Sequence, residues 1–371
     1  MKNQSLKILP VIRMLASRNG RVTVTLNQEY GDTVEKLSSE GIVKDTKSIL
    51  EIPSPENDPS LLQQYFSRWF KSHNGPPSYV AIKDFGTISI TVPANPDVSL
   101  QGRICIITGA GQGFGAGIAE KLFQHGAQVI IADINDTIGK KQEELLNSLG
   151  LKNRALFIKT DVSDPESVEK LVEKTVLHFG GLDIMISNAG ILRAGGLDEM
   201  NAETFRLMTE VNYSGFFYCT KYASEVMKIQ TEIAPHMYCD ILQINSKSGL
   251  QGSKKNFTYA GGKFGGIGLT QSFALELMPF HIKVNAICPG NFFEGPLWSD
   301  PTSGLFVQYL KAGKVPGAKT VQDVKEYYEK QVPAGRGCKV DDVVKAILYA
   351  VDQEYETGQA IPVTGGQVML H

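Results

Sequence analysis

The sequence is short of the features that mark membrane, disulfide-linked and metal-binding proteins. No apolar run reaches the roughly 18 residues that a membrane-spanning helix needs, and the first residues lack the apolar segment of a secretion signal. The five cysteines show no Cys-x-x-Cys spacing, and the six histidines form no cluster. We therefore expect reduced thiols, no bound metal and a cytoplasmic protein.

The sequence also lacks an excess of positive or of negative charge. The formal net charge is −2 over 371 residues, and no long basic or acidic run occurs. An electrostatic footprint for nucleic acid or for a membrane surface is therefore not indicated. The length is enough for one large hydrophobic core or for two smaller ones.

What the sequence does have is a strand–turn–helix–strand unit between Arg103 and Asp133. An apolar run, Ile104 to Ile107, precedes a cluster of glycines that starts at Gly109, and a helical pattern follows. A second apolar run then ends at Asp133, eighteen residues after Gly115. This order predicts a βαβ unit that binds a dinucleotide.

Each part of this unit has a physical purpose. Glycines adopt positive φ and carry no Cβ, so the backbone can turn tightly and approach a pyrophosphate. A helix that starts near Gly113 directs free N–H groups and the positive end of its dipole at the phosphates. The carboxylate of Asp133 can accept both ribose hydroxyls of adenosine and would repel a 2′-phosphate, so we favour NAD over NADP.

The glycine spacing is Thr-Gly-x-x-x-Gly-x-Gly, from Thr108 to Gly115, and it resembles that of the short-chain dehydrogenase/reductase family. Alternating strands and helices continue to the end of the chain, which predicts a doubly wound parallel α/β sheet of the Rossmann type over residues 98–371. Two further motifs match the family: Asn188-Ala189-Gly190 after a predicted strand, and Tyr259 followed four residues later by Lys263.

The resemblance implies a set of site residues. The catalytic set is Asn212, Ser246, Tyr259 and Lys263. The cofactor set is Thr108, Gly109, Gln112, Gly113, Phe114, Gly115, Asp133, Asp161, Val162, Asn188, Ala189, Gly190, Tyr259, Lys263, Pro289, Gly290, Asn291 and Phe292. Asp161 and Val162 would meet the adenine, and Asn212 would anchor a water that links Lys263 to solvent.

The chemistry of the tyrosine follows from its proton affinity. A free Tyr has a pKa of about 10, some three units too high for a base near neutrality. An ammonium about 4 Å away contributes roughly 4 kcal/mol at an effective dielectric near 20, which matches those three units. Because Tyr259 and Lys263 share one helix face, we expect Lys263, helped by the positive nicotinamide, to lower the pKa of Tyr259. Ser246 would then hold the substrate oxygen.

The loop after the sixth strand departs from the family. The family has a threonine three or four residues after Gly290, where Phe293 and Glu294 stand here, and Asn291 is the candidate substitute. Residues 291–331 correspond to the mobile substrate lid. The closing segment resembles family tails that pack on a partner subunit, so we expect a homotetramer.

Cations surround the predicted catalytic serine. Lys247 follows Ser246 directly, and we expect Arg193 and Lys254 to lie near the same mouth; with Ser246 and Ser248 they form the candidate substrate set. A cluster of cations beside an alcohol-oxidising centre suits a small phosphorylated polyol, and residues 102–371 resemble the polyol-phosphate dehydrogenases of the family. Two alternatives stay open: a dehydrogenase of an unphosphorylated polyol or other secondary alcohol, favoured by Phe292, Phe293 and Trp298, and a non-catalytic NAD(H) sensor.

Residues 1–97 carry neither a phosphate loop nor a metal-ligand spacing. Short strands are predicted over residues 22–26, 48–52, 79–82 and 88–92, and helices over residues 33–39 and 61–71. We expect a small α/β domain that docks on the dehydrogenase part or on a neighbouring subunit, with a binding or regulatory role as the alternative.

Overall fold

A seven-stranded, wholly parallel sheet forms the centre of the molecule. The computed structural model of the chain describes residues 4–27, 48–53, 59–83, 85–92, 99–151, 153–252, 254–302, 304–311, 313 and 315–369. In these ranges the strands are β1 Thr23–Asn27, β2 Ile49–Ile52, β3 Tyr79–Ile82, β4 Gly86–Thr91, β5 Ile104–Thr108, β6 Gln128–Asp133, β7 Ala155–Lys159, β8 Ile184–Ser187, β9 Cys239–Ile244, β10 Ile282–Pro289 and β11 Ala360–Val363.

The strand order of the large sheet is β11-β10-β9-β8-β5-β6-β7. The chain therefore starts in the middle at β5, moves outward through β6 and β7, and then returns to build the other half. In such a sheet a crevice opens at the carboxyl ends of the strands on either side of the reversal, here β5 and β8. The predicted doubly wound parallel sheet is confirmed.

Helices pack on both faces of the large sheet, on the small sheet and on one another. They are α1 Ser5–Ala16, α2 Pro59–Ser72, α3 Gly113–Gln124, α4 Asp136–Ser148, α5 Pro165–Phe179, α6 Ala202–Thr209, α7 Gly215–Ile233, α8 Phe257–Leu277, α9 Pro296–Ser299, α10 Leu305–Lys311, α11 Val321–Lys330 and α12 Val340–Asp352. Local sequence explains their limits: Asp164 caps α5 by accepting the N–H of Glu166, and Gly180 ends it at a φ of 83°. None of the helices in the described ranges is long and apolar enough to cross a membrane.

The amino-terminal segment forms a second sheet with the order β1-β4-β3-β2. Its four strands lie close to the predicted ones, and α2 contains the predicted helix over residues 61–71. Sequence reasoning missed α1, because most of its side chains are buried and Pro10 interrupts the amphipathic pattern. The helix predicted over residues 33–39 lies outside the described residues.

The two sheets share one hydrophobic core. Side chains of α1 and the small sheet, such as Leu9 and Ile82, belong to the same buried cluster as Ile106, Phe179 and Met227 of the large unit. A charged contact joins the same surfaces: the guanidinium of Arg13 on α1 pairs with the carboxylate of Asp183 at 2.6 Å, and neither side chain is exposed. The amino-terminal segment is thus packed on α5 and α7.

Candidate active site

The glycine turn between β5 and α3 has the geometry that the sequence indicates. Gly109 and Gly113 adopt φ values of 63° and 61°, a conformation that favours glycine. A Cβ on Gly115 would collide with the carbonyl of Gly109, so this position also has room only for glycine. The turn is therefore closed tightly against the first residues of α3.

The first turn of α3 is open to a ligand. The helix begins at Gly113, and its N-cap residue, Gln112, makes no capping hydrogen bond with its side chain. The first N–H groups of an α-helix have no partner within the helix, so those of Gly113, Phe114 and Gly115 are free to meet an anion. The donors present fit the pyrophosphate of a dinucleotide.

Asp133 is fixed at the end of β6, next to this turn. One carboxylate oxygen accepts the N–H of Gly111 at 2.9 Å, and the other accepts the N–H of Asn135 at 2.9 Å. Each oxygen keeps a second acceptor position, so the carboxylate can still bind ribose hydroxyls. Its place fits the adenosine ribose of a cofactor whose pyrophosphate lies on α3.

The ends of β5 and β8 are tied together by side chains. The amide of Asn188 donates to the carbonyl of Thr108 at 2.8 Å and to that of Gly109 at 3.2 Å. The hydroxyl of Thr108 accepts the N–H groups of Asn188 and Ala189, each at 3.0 Å. These bonds hold the floor of the crevice rigid where the cofactor ribose would pass.

Asp161 and Val162 lie beyond β7, on the adenine side of the crevice. One oxygen of Asp161 accepts both the N–H and the hydroxyl of Ser163, at 2.9 and 2.6 Å, which fixes a local turn. Val162 is buried, and a Cβ on Gly215 would lie 3.2 Å from it. One carboxylate oxygen of Asp161 is left for an adenine amine.

Tyr259 and Lys263 lie one turn apart near the start of α8, with Ser246 beyond the end of β9. The Nζ of Lys263 lies 5.6 Å from the centre of the Tyr259 ring and donates to the carbonyl of Ile244 at 2.8 Å. Ser246 lies near enough to the Tyr259 hydroxyl to lower the pKa of Tyr259. The structure therefore brings together the three residues of the predicted hydride-transfer centre.

Burial shifts the pKa values of two groups in this centre. Burial raises the pKa of Tyr259, and the nearby Ser246 only partly opposes this rise. Burial also lowers the pKa of Lys263 to about 8. Without a nicotinamide, desolvation of both groups dominates, and the lowering of the Tyr259 pKa by Lys263 together with the nicotinamide stays a prediction.

Asn212 lies in a π-helical turn, Glu210–Ser214, between α6 and α7, and is 3% exposed. Its amide oxygen accepts the N–H of Ile191 at 3.0 Å, and its amide nitrogen donates to the carbonyl of the same residue at 2.8 Å. A Cβ on Gly190 would lie 2.9 Å from the Asn212 oxygen and 3.9 Å from the Nζ of Lys263. Asn212 thus fixes the loop after β8 beside Lys263, and the water relay stays a prediction.

The sequence profile of the family described as short chain dehydrogenase matches residues 103–297. The matched region contains the glycine turn, the Asn188 tie and the Ser246–Tyr259–Lys263 centre. The chain belongs to the short-chain dehydrogenase family. The resemblance seen in the motifs is thereby confirmed.

Named relatives extend this membership. A sorbitol-6-phosphate 2-dehydrogenase of Escherichia coli (strain K12) is 34% identical over 271 residues, covering 72% of this chain and 99% of that protein. A trans-4-hydroxycyclohexanecarboxylate dehydrogenase of Sinomonas cyclohexanicum is 31% identical, covering 71% of this chain and 92% of that protein. A crystal structure of sorbitol-6-phosphate 2-dehydrogenase from Erwinia amylovora has a TM-score of 0.65 at 37% identity, covering 72% of this chain and all of that one.

This short-chain dehydrogenase departs from the family pattern after β10. The N–H of Gly290 donates to the carbonyl of Val363 at 2.9 Å, and the carbonyl of Asn291 accepts the N–H of Cys338 at 2.8 Å. The ring of Phe292 stacks on that of Phe114, with centres 4.2 Å apart and planes at 16°. Pro289, Gly290 and their neighbours therefore return the chain to the glycine turn, while Phe293, at one of the two positions of the family's threonine, is buried against Trp298.

The candidate substrate cations have different surroundings. Lys247 opens a short 3₁₀ turn after Ser246; it is half-buried, and burial lowers its pKa. The next residue, Ser248, donates its N–H to the Ser246 hydroxyl at 3.1 Å. Arg193 and Lys254 are exposed and belong to two different loops. The N–H of Gly195 joins these loops by donating to the carbonyl of Lys255 at 2.9 Å.

Sequence reasoning missed two contributors to this site. The Ile244 carbonyl, which holds Lys263, belongs to the main chain and leaves no residue signature. Glu199 pairs with Lys255 at 2.8 Å, so the charge of this lysine is already balanced by a carboxylate of the protein. In the described ranges, no group of three or more His, Cys, Asp or Glu side chains is placed to hold a metal.

Proposed function

We propose that this short-chain dehydrogenase is an NAD-dependent oxidoreductase that interconverts a phosphorylated polyol and a ketose phosphate. The pair that we name is D-sorbitol 6-phosphate and D-fructose 6-phosphate. The observation that carries the proposal is the half-buried Lys247, which directly follows Ser246 of the Ser246–Tyr259–Lys263 centre. The names of two relatives, at 34% and 37% identity, support the substrate.

The proposed roles follow from the geometry. The Ser246 hydroxyl binds the substrate oxygen, and Tyr259 takes the proton of the alcohol. NAD⁺, when bound, supplies the acceptor for the hydride that leaves the same carbon. Burial raises the pKa of Tyr259, so formation of the phenolate would depend on the positive nicotinamide of bound NAD⁺, with Lys263 next to the ring as the second cation. Asn212 keeps the loop beside Lys263 in place.

NAD rather than NADP is favoured by the position of Asp133. Its carboxylate is 7% exposed and held by two backbone N–H groups. A second anion, such as a ribose 2′-phosphate, would meet a fixed negative charge there.

Lys247 is the cation that we assign to the substrate phosphate, with Arg193 and Lys254 as further donors. Burial lowers its pKa, and an arriving phosphate would oppose that shift by stabilising the ammonium. Lys255, by contrast, is already paired with Glu199. One relative, the trans-4-hydroxycyclohexanecarboxylate dehydrogenase, is named for a substrate that also has an anionic group, a carboxylate.

The alternative of an unphosphorylated or greasy alcohol drew on Phe292, Phe293 and Trp298. In the structure Phe292 stacks on Phe114, and Phe293 is 2% exposed in contact with Trp298. These rings pack against protein, which weakens that alternative. A non-catalytic NAD(H) sensor would have no need for the contact between Ser246 and Tyr259.

We also propose a cytoplasmic homotetramer. Apolar side chains of α7 and α8 are exposed, among them Phe217 at 43%, Phe264 at 47% and Leu275 at 82%. Such a face suits a contact between subunits.

One assay tests the substrate. We expect NADH formation from D-sorbitol 6-phosphate to exceed that from unphosphorylated sorbitol, with Lys247→Ala raising the KM for the phosphorylated polyol about tenfold or more. Lys345→Ala, an exposed lysine on α12, is the matched control and should leave the KM unchanged. Equal rates on both polyols would remove the phosphate from the proposal, and an unchanged KM would remove Lys247 from the site.

A further inference from the structure

Two consecutive phenylalanines after β10 join two different clusters. Phe292 stacks on Phe114, the second residue of α3, at 4.2 Å between ring centres. Phe293 turns the other way and contacts Trp298 at 5.0 Å and Phe306 at 5.6 Å. One peptide bond therefore separates a ring on the glycine turn from a ring in the lid.

The lid has a hydrophobic core of its own. Phe293, Phe306, Val315, Val324 and Val332 are its buried members. Trp298 packs on this core and on two tyrosines, with ring centres 5.9 Å from Tyr309 and 5.4 Å from Tyr328. Helices α9, α10 and α11 consequently move as a unit if they move at all, because their contacts are with one another.

Phe292 has little freedom to lose its contact. A Cβ on Gly295 would lie 2.5 Å from the Phe292 ring, and the ring of Phe114 stacks on the same side chain. In the segment that follows α11, a Cβ on Gly337 would lie 2.8 Å from the Phe293 ring. Each phenylalanine ring therefore packs against a glycine, at a position where a Cβ would be too close.

We infer that Phe292 is a positioning residue that couples occupancy of the glycine turn to the packing of the substrate lid. The inference rests on the proposed function in one respect, namely that a dinucleotide occupies the turn. Phe114 donates one of the N–H groups that meet the pyrophosphate, so a bound dinucleotide fixes its backbone and ring. The stack transmits that position to Phe292, and the next residue transmits it to the lid core. Cofactor and substrate then raise each other's affinity by the same factor.

Tryptophan fluorescence can observe this coupling without knowledge of the substrate. The chain has two tryptophans, Trp69 and Trp298. In a Trp69→Phe protein the emission comes from Trp298 alone, inside the lid cluster. We expect NAD⁺ to shift that emission and calorimetry to show NAD⁺ binding to the same protein.

The decisive variant is Phe292→Ala in the Trp69→Phe background. It should bind NAD⁺ with a Kd raised about threefold to tenfold, the range that one aromatic pair allows, while the NAD⁺-induced shift of Trp298 emission disappears. Phe292→Tyr keeps the stack and should restore the shift. Tyr355→Ala removes a ring that is 97% exposed and should change neither value. The thermal midpoint of each variant checks that it is folded.

The outcomes separate the two claims. If calorimetry detects no NAD⁺ binding to the folded parent protein, the proposed function fails and takes the coupling with it. If NAD⁺ binds but Trp298 emission does not move, or if it moves equally in Phe292→Ala, the coupling is overturned and the proposed function stands.

Discussion

The two ends of the parallel sheet handle polar groups in opposite ways. At the amino-terminal end, Asp183 and Asp240 have no exposed side-chain surface and lie beside cations. At the carboxyl end, Asp133 and the first N–H groups of α3 keep hydrogen-bonding capacity to spare. The first end places its buried carboxylates beside cations and the second leaves hydrogen-bonding capacity available, as expected if stability is built at one end and ligand binding at the other.

The amino-terminal end depends on residues far apart in the chain. Asp183 accepts from Arg13 and from Arg21 of the amino-terminal segment, each at 2.6 Å, and from the N–H of Ile104 at 2.8 Å. Next to it, Lys283 pairs with Asp240 at 3.0 Å and donates to the carbonyl of Gln353 after α12 at 2.8 Å. The amino-terminal segment therefore completes the charge balance of the dehydrogenase part.

The largest expected effect is at the carboxyl end. Tyr259→Phe removes the acid–base group and should lower kcat about 10²- to 10⁴-fold, while the free energy of unfolding changes little. NADH formation and denaturant unfolding, measured on the same preparation, check both halves. Retention of more than a tenth of the activity would place the proton transfer elsewhere.

At the amino-terminal end the expected pattern is reversed. Arg13→Met leaves the buried Asp183 with one cation fewer and should lower the free energy of unfolding by about 3 kcal/mol or more, with kcat unchanged at temperatures where the variant is folded. Arg18→Met, an exposed arginine just after α1, is the matched control. A kcat that falls together with stability would show that the two ends are not independent.

Asp133→Ala tests a smaller effect at the carboxyl end. Loss of a charged acceptor should reduce the preference for NAD over NADP about tenfold to a hundredfold, seen as the ratio of kcat/KM for the two cofactors. Asp136→Ala removes a carboxylate that is paired with Lys140 at 2.7 Å and should leave the ratio unchanged. An unaltered ratio in Asp133→Ala would return the choice between NAD and NADP to an open question.

Acid titration gives the smallest and most gradual contrast. Burial opposes ionisation of Asp183, yet the charges of Arg13 and Arg21 hold its pKa well below the usual range. Because the folded pKa is lowered, this carboxylate contributes full stability above its unfolded pKa of about 3.9 and loses it as the pH falls toward the folded value. Asp183→Asn should therefore show a flatter decline in unfolding free energy below pH ~4 than the parent, and parallel curves would exclude this linkage.

The sequence predicted best what depends on neighbours in the chain. The positive φ of Gly109 and Gly113 and the spacing of Tyr259 and Lys263 are local properties, so their motifs were sufficient. The parallel sheet followed from the alternation of apolar runs and helical patterns.

Contacts between segments that are far apart in the sequence could not be predicted from local motifs. The pair Arg13–Asp183 joins residues 170 positions apart, and the stack of Phe114 on Phe292 joins the start of α3 to the segment after β10. The effect of burial on the pKa of Tyr259 could not be predicted for the same reason, because desolvation is not a property of the motif.

The most direct test of the central claim follows the hydride itself. D-Sorbitol 6-phosphate that carries deuterium on the carbon of its secondary 2-hydroxyl is incubated with the protein and NAD⁺, and the reduced nucleotide is analysed by mass spectrometry. The account predicts one deuterium in each reduced nucleotide formed, together with D-fructose 6-phosphate in equal amount. Reduced nucleotide without deuterium, or no reduction at all by the folded protein, would contradict it.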